Sequence, residues 1–403
     1  MKKKNYKYPL LENAFSDRDI LCGINVLKSK KITMQKKTFD FENYFQKRFN
    51  VPYALMVNSG SSANLLAVAT ACNPMRKNFL KEGDEVLIPS ICWSTSLWPI
   101  IQYKLKPIFV DVDISTLNLS ISDLKKKITK KTRAIMCVHI LGLSTDMNEI
   151  IKLSKSHNLM IFEDTCESLG TTFKNKKLGT IGNFGTYSFY YSHQITSGEG
   201  GMVVCKSNDD YNILKSLRSH GWSRDTKFHN YYKNKYLNLS EKFLFINSGY
   251  NLRPTDVAAA IAHNQLKRLK KFIYIRNSNR EKIINSLKKH KDWNNQFTFL
   301  YPSKNIKPSW FGLPIILNEE LRAKKFLFLK YLEKSGIETR PIVSGNFLNQ
   351  PCIKLYNISA NNKDFKNSQK IEELGFFIGL HTKMIKKNLL NFLASKMMKI
   401  NYL

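Results

Sequence analysis

Six short apolar runs, separated by helix-length segments, constrain this chain more than any other feature. They are Tyr53-Ala-Leu-Met-Val57, Glu85-Val-Leu-Ile-Pro89, Pro107-Ile-Phe-Val-Asp111, Arg133 to Ile140, Leu159-Met-Ile-Phe-Glu-Asp164 and Met202-Val-Val-Cys205. Helices are expected through Ala71, over Ser94 to Gln102, near 121–128 and near 146–156. A strand that is apolar on both faces must be covered on both. The alternation therefore predicts an α/β fold with a large, mostly parallel sheet between helix layers. Ligands of such sheets collect outside the carboxyl ends of the strands. Gly60, Trp93 and Asp164 fall at those ends.

At 403 residues the chain exceeds one small core, so one large and one smaller domain are expected. Residues 1–50 read as an N-terminal arm and one helix, with Phe39, Phe41, Phe45 and Phe49 on its apolar face. The large domain is placed at 51–260, a connecting helix at 261–289 and a small C-terminal α/β domain at 290–403. Tyr211 to His220 reads as a helix and Trp222 to Leu244 as a polar, aromatic loop. Gly249-Tyr-Asn251-Leu-Arg253-Pro254 opens a long helical stretch to about Lys289, with Pro254 in its first turn.

The formal net charge is +33, from 64 Lys and Arg against 31 Asp and Glu. A nucleic-acid surface would concentrate that charge on one element with interleaved aromatics. Here Lys2 to Lys4, Lys36-Lys37, Lys125 to Lys127, Lys270-Lys271 and Lys386-Lys387 are scattered, so no nucleic-acid partner is expected. The basic balance suits steering of a diphosphate-bearing substrate. No apolar run approaches the roughly 18 residues of a membrane span, so no membrane partner is expected. The basic start lacks the apolar segment of a signal peptide, which predicts a cytoplasmic protein. Cysteines 22, 72, 92, 137, 166, 205 and 352 show no zinc spacing and read mostly as buried free thiols.

Four places carry candidate chemistry. Asn58-Ser-Gly60-Ser61-Ser62-Ala-Asn joins a strand to a helix, whose first N–H groups, unpaired and pointing outward, make an anion site. Asp164 closes an apolar run, where a lone carboxylate needs a partner, whether a ligand or a helix N-terminus. Trp93 is a ring platform or a core residue. His193 follows a β-rich run and precedes a Gly-rich return, and imidazole moves protons near neutrality.

Thr186-Tyr-Ser-Phe-Tyr-Tyr-Ser-His193-Gln-Ile-Thr-Ser-Gly-Glu-Gly-Gly201 resembles the cofactor-lysine loop of the DegT/DnrJ/EryC1/StrS sugar aminotransferase family. Asn58 to Leu66, Glu163-Asp-Thr-Cys-Glu-Ser-Leu-Gly170, Gly249 to Pro254 and Ile337-Glu-Thr-Arg340-Pro extend the resemblance over about residues 8 to 395. It implies the aspartate-aminotransferase-like fold, pyridoxal-phosphate fold type I. In that family a Ser is followed five residues later by the Lys that holds pyridoxal phosphate as a Schiff base. Here Ser188 is followed at that spacing by His193, and no Lys occurs from 178 to 205. Histidine forms no such bond, so pyridoxal phosphate or pyridoxamine phosphate is expected to bind noncovalently. The resemblance further assigns Gly60, Ser61, Ser62 and Ser188 to the phosphate, Trp93 to ring stacking and Asp164 to the pyridine nitrogen. It puts Glu167 near the phenolic oxygen. Asn251 would reach the phosphate of a neighbouring subunit, which implies a homodimer with shared sites. Arg253 and Arg340 would face substrate, and His381 reads as structural.

A Lys-to-His exchange at this position marks a small subset of the family, the nucleotide-sugar 3-dehydratases. One type uses an iron–sulfur cluster, but 206–351 contains no Cys, and Cys166 alone cannot hold a cluster that wants four ligands. The glutamate-driven type, resembling GDP-4-keto-6-deoxy-D-mannose 3-dehydratase, is therefore expected, with no iron–sulfur cluster. Its substrates are a nucleotide-diphosphate 4-keto-6-deoxyhexose and glutamate, with His193 as acid and base in the loss of the C3 hydroxyl. Cys92-Trp-Ser-Thr-Ser-Leu-Trp-Pro99 also resembles a broader lipopolysaccharide-type group. Gln194 departs from the two adjacent His of the subset. The alternatives are an aminotransferase using His193 and a catalytically inactive binding protein.

Overall fold

The computed structural model describes residues 6–12, 14–358 and 364–403. The lysines at 2–4 lie outside the described residues. Nine strands come first in chain order: β1 Tyr53–Val57, β2 Glu85–Pro89, β3 Lys106–Val110, β4 Thr132–Val138, β5 Met160–Asp164, β6 Thr172–Phe173, β7 Lys176–Lys177, β8 Phe184–Ser188 and β9 Gly201–Cys205. Seven of them form one sheet in the order β1-β9-β8-β5-β4-β2-β3. Pairings from β8 across to β3 are parallel, and β9 alone runs antiparallel to both its neighbours. The reversal at β9 turns residues 189–200 back over the sheet end, and His193 sits in that turn.

Both faces of this sheet are covered, as the unbroken apolar strands require. Helix Gly60–Ala71 is buried on nearly every side, which its small residues permit. Helix Met147–His157 is capped by Asp146 and stops at Asn158 in the left-handed region, φ 52°. Five more strands follow, β10 Phe297–Phe299, β11 Ile306–Lys307, β12 Gly312–Leu317, β13 Thr339–Arg340 and β14 Gly375–Gly379, and four of them form a second sheet. Its antiparallel order is β10-β12-β14-β13, while β11 joins β6 and β7. One continuous apolar cluster runs from Leu55 to Phe376 and ties the two sheets together. Polar contacts reinforce the join: the Ser368 hydroxyl donates to Asp111 at 2.6 Å.

Five local expectations need correction. Residues 1–50 hold two helices, Asp17–Lys28 and Lys36–Phe49. Phe41, Phe45 and Phe49 lie four residues apart on one buried face, whereas Phe39 is about 200° away from Phe41 and is 49% exposed. The long helix breaks at Arg268 into Asp256–Lys267 and Leu269–Lys288. Next to the break, Asn264, Gln265 and Arg268 meet on the buried Asp19 carboxylate, a charge that needs several donors. Pro254 precedes the cap Thr255 and is outside the helix. Residues 222–244 contain a short helix, His229–Lys235, none of whose residues is buried.

Candidate active site

A cavity of about 620 Å³ opens at the carboxyl ends of the parallel strands. At its floor, Ser59 caps helix Gly60–Ala71, its hydroxyl accepting the Ser62 N–H at 3.1 Å. The amides of Gly60 and Ser61 lead the helix and have no intrahelical acceptor. A β-carbon on Gly60 would lie 2.5 Å from Ser188 Cβ and 3.0 Å from Cys166 Sγ. Glycine lets the head of the helix pack this closely against Ser188 and Cys166, and the helix dipole favours an anion over its free amides. Ser61 Oγ is 2.9 Å from Thr95 Oγ1, on the cavity wall. Ser62 is not among the lining residues; its amide donates to Ser59 Oγ and its hydroxyl oxygen accepts from Ser59 at 2.9 Å.

Asp164 ends β5, where it is buried and has partners. Its Oδ2 accepts from Asn64 Nδ2 at 2.8 Å and Ser96 Oγ at 2.6 Å, and its Oδ1 accepts the Cys166 amide at 3.1 Å. Asn64 is itself oriented by Thr186, whose hydroxyl donates to Asn64 Oδ1 at 2.6 Å. Sequence reasoning missed Asn64, Ser96 and Thr186. Asn64 was findable, since it stands one helical turn after Gly60 on the same face.

His193 lines the cavity between Tyr190 and Phe311, which meet its ring edge-on at 5.8 and 5.2 Å between centroids. Its Nδ1 is buried without a hydrogen-bond partner. Burial, and then the positive charge of Arg276, push its pKa down to about 3, so the ring is neutral. Arg276 is itself buried, donates to the Trp310 carbonyl at 3.0 Å and has its own pKa lowered to about 10 by desolvation. Nothing in the local sequence of His193 announced that distant neighbour.

Glu167 accepts the Leu141 amide at 3.0 Å. Burial raises its pKa to about 7; that amide pulls the value down and Asp164 pushes it up. Gln194 is buried and donates through Nε2 to the carbonyls of Glu167, at 2.5 Å, and Ser309, at 3.1 Å. The residue where the subset pattern has a second His thus ties the His193 loop to the Glu167 turn.

Trp93 precedes helix Ser94–Gln102 and lines the cavity with 57% of its surface exposed, so it is not a core residue. Arg340 lies on the cavity rim and pairs with Glu338 at 2.7 Å. Asn251 and Arg253 do not line this cavity; Asn251 is exposed and accepts from Arg253 Nε at 3.1 Å. Of the seven thiols, Cys92, Cys137 and Cys205 are buried and the other four are partly exposed. His381 Nε2 meets the Pro9 carbonyl at 2.7 Å and its ring stacks on Tyr8, a structural setting.

The profile of the DegT/DnrJ/EryC1/StrS aminotransferase family matches residues 17–394. Among proteins of known function, the chain is 38% identical to the GDP-4-keto-6-deoxy-D-mannose 3-dehydratase of Escherichia coli O55:H7, over 93% of this chain and 95% of that one. It is 35% identical to the enzyme of that name from Yersinia pseudotuberculosis, over 98% of this chain and all of the relative. The solved structure of the Escherichia coli dehydratase with bound hydrated pyridoxal phosphate superposes with a TM-score of 0.89 at 35% identity, covering 97% and 99% of the two chains. The Helicobacter pylori aminotransferase PseC, at 23% identity, shares the fold with a TM-score of 0.85. The fold class is that of the pyridoxal-phosphate aminotransferases.

Proposed function

Because the chain belongs to the DegT/DnrJ/EryC1/StrS aminotransferase family, we propose that it is a pyridoxal-phosphate-dependent 3-dehydratase acting on a nucleotide-linked 4-keto-6-deoxyhexose. GDP-4-keto-6-deoxymannose is the first candidate substrate and glutamate the amino donor. The observation that carries this reading is His193, a neutral imidazole on the cavity wall at the position of the family's lysine.

The residues fit the cofactor. Gly60 and Ser61 head a helix at the cavity, beside Ser188, and the free amides of that N-terminus suit a phosphate. Asp164, fixed by Asn64 and Ser96, offers a carboxylate to a protonated ring nitrogen. Trp93 leaves a face free for stacking. Bound there, pyridoxal phosphate supplies the electron sink and, in its amine form, the nitrogen that engages the C4 ketone. His193 takes a carbon-bound proton and returns one to the departing C3 hydroxyl. The C3–O bond breaks and water leaves. Glutamate provides the two electrons and emerges as 2-oxoglutarate and ammonia; the oxygen lost by the sugar balances the one gained in the keto acid.

Two copies are inferred to share their sites. Asn251 and Arg253 stand outside their own cavity, and helix Asp17–Lys28 exposes Ile20, Leu21, Ile24 and Leu27 along one face. Among the described residues no helix is long and apolar enough to cross a membrane.

Mass spectrometry of the products tests the reading. Purified protein, pyridoxal phosphate, glutamate and GDP-4-keto-6-deoxymannose should yield a sugar lighter by one oxygen, with 2-oxoglutarate and ammonia. An amino sugar in its place would make the protein a transaminase. Conversion of bound cofactor by glutamate with untouched sugar would point to a different hexose. No reaction with either would leave a binding protein.

A further inference from the structure

His139 follows β4 beside the end of β5, and its amide donates to the Asp164 carbonyl at 2.9 Å. The residue is buried and belongs to the cavity lining. Behind it lies Glu163, which does not line the cavity and whose carboxylate is saturated. Glu163 Oε1 accepts the amides of Ile181 at 2.7 Å and Gly182 at 2.6 Å. Its Oε2 accepts the Gly179 amide at 2.8 Å and meets His139 Nε2 at 3.2 Å. Burial alone would raise this carboxyl, but the His139 contact and the amides hold it below the usual carboxylate range. An ionised Glu163 accepts a hydrogen bond from Nε2–H, so Nδ1 is the one hydrogen-bonding atom of the ring left for another partner. That nitrogen is buried and has no hydrogen-bond partner. A buried ring nitrogen left without a partner, on a residue held from behind by Glu163 and belonging to the cavity lining, is arranged to meet a group bound there.

We propose that His139 is a positioning residue for the cofactor, Glu163 fixing its tautomer so that Nδ1 meets the polar edge of the ring held beside Asp164. The contact sets how the ring lies against His193 and tunes its ionisation. This rests on the reading that the cavity takes pyridoxal phosphate.

Two substitutions separate this role from a structural one. Glutamine can keep the contact to Glu163 but loses the group at Nδ1; asparagine does the reverse. Cofactor-free protein is titrated with pyridoxal phosphate, reading affinity and the absorption band of the bound ring. His139→Gln is expected to weaken binding by about tenfold or more and to shift the band, with His139→Asn nearer the parent. His139→Gln binding with parental affinity and an unmoved band would overturn the proposal, whatever its melting temperature. The unaltered protein offers a check independent of variant folding: the nitrogen-15 resonance of His139 Nδ1 should move when pyridoxal phosphate is added. A stationary resonance in a protein that binds the cofactor sinks this inference alone. A parent that binds no cofactor sinks the inference and the cofactor reading together.

Discussion

Gly60 and Ser188 approach so closely that a β-carbon on Gly60 would lie 2.5 Å from Ser188 Cβ. One stands at the head of a helix and the other at the end of β8, so the anion gap is defined by two elements that meet only in the folded chain. Gly60→Ala should force them apart at a cost of about 1–3 kcal/mol and weaken pyridoxal phosphate binding at least tenfold. Thermal melting and absorbance titration would measure the two effects. Unchanged affinity would remove Gly60 from the phosphate cradle.

His193 should make the fold acid-sensitive. Its folded pKa is about 3, while a free His titrates near 6.5. Between those values the unfolded chain holds a proton that the folded chain refuses, so stability rises with pH across that window. His193→Asn should flatten the slope between about pH 4.5 and 6.5 in urea unfolding, and lower turnover by about 10²–10⁴-fold with the cofactor still bound. An unaltered slope would contradict the neutral, buried imidazole.

Glu167 carries the opposite sign. Its folded pKa is about 7, above the ordinary glutamate value, so the folded chain keeps a proton that the unfolded chain has lost. Its stabilising contribution is present at low pH and fades as pH climbs from about 4.5 to 7. If the protonated acid takes part in turnover, kcat/KM falls above pH 7, and Glu167→Gln erases that limb. A limb that persists in the variant would assign it elsewhere.

Asp164 depends on Asn64 and Ser96. Ser96→Ala removes one donor from a buried carboxylate and should cost about 1–3 kcal/mol. Asp164→Ala should do more: conversion of the cofactor by glutamate, followed by absorbance in a single turnover, ought to slow by at least a hundredfold. Parental rates would mean that the carboxylate serves the fold only.

Shared sites can be tested by mixing. Asn251→Ala and His193→Asn protomers, each inactive alone, should regain up to about a quarter of parental activity after co-expression, through mixed dimers with one intact site. No recovery, with mixed dimers present, would place Asn251 in its own subunit's site.

Much of this was legible in local pattern. The apolar runs at 53–57, 85–89 and 160–164 demanded a doubly covered sheet because no other packing buries both faces of such strands. The spacing from Ser188 to His193 announced a cofactor site without its lysine, and the Gly60 turn announced an anion site. These readings need only neighbours within a few residues.

Packing supplied the rest, for physical reasons that spacing cannot carry. Phe39 and Phe41 look alike in the sequence, and only the helix face separates the exposed ring from the buried one. Asn264, Gln265 and Arg268 gather on the buried carboxylate of Asp19, which lies far away in the chain. His193 is neutral because burial and the charge of Arg276 act together, and Glu167 titrates near 7 because its carboxyl is desolvated beside Asp164. Periodicity is a property of adjacent residues. Desolvation and the proximity of charges arise only when distant segments close around the same space.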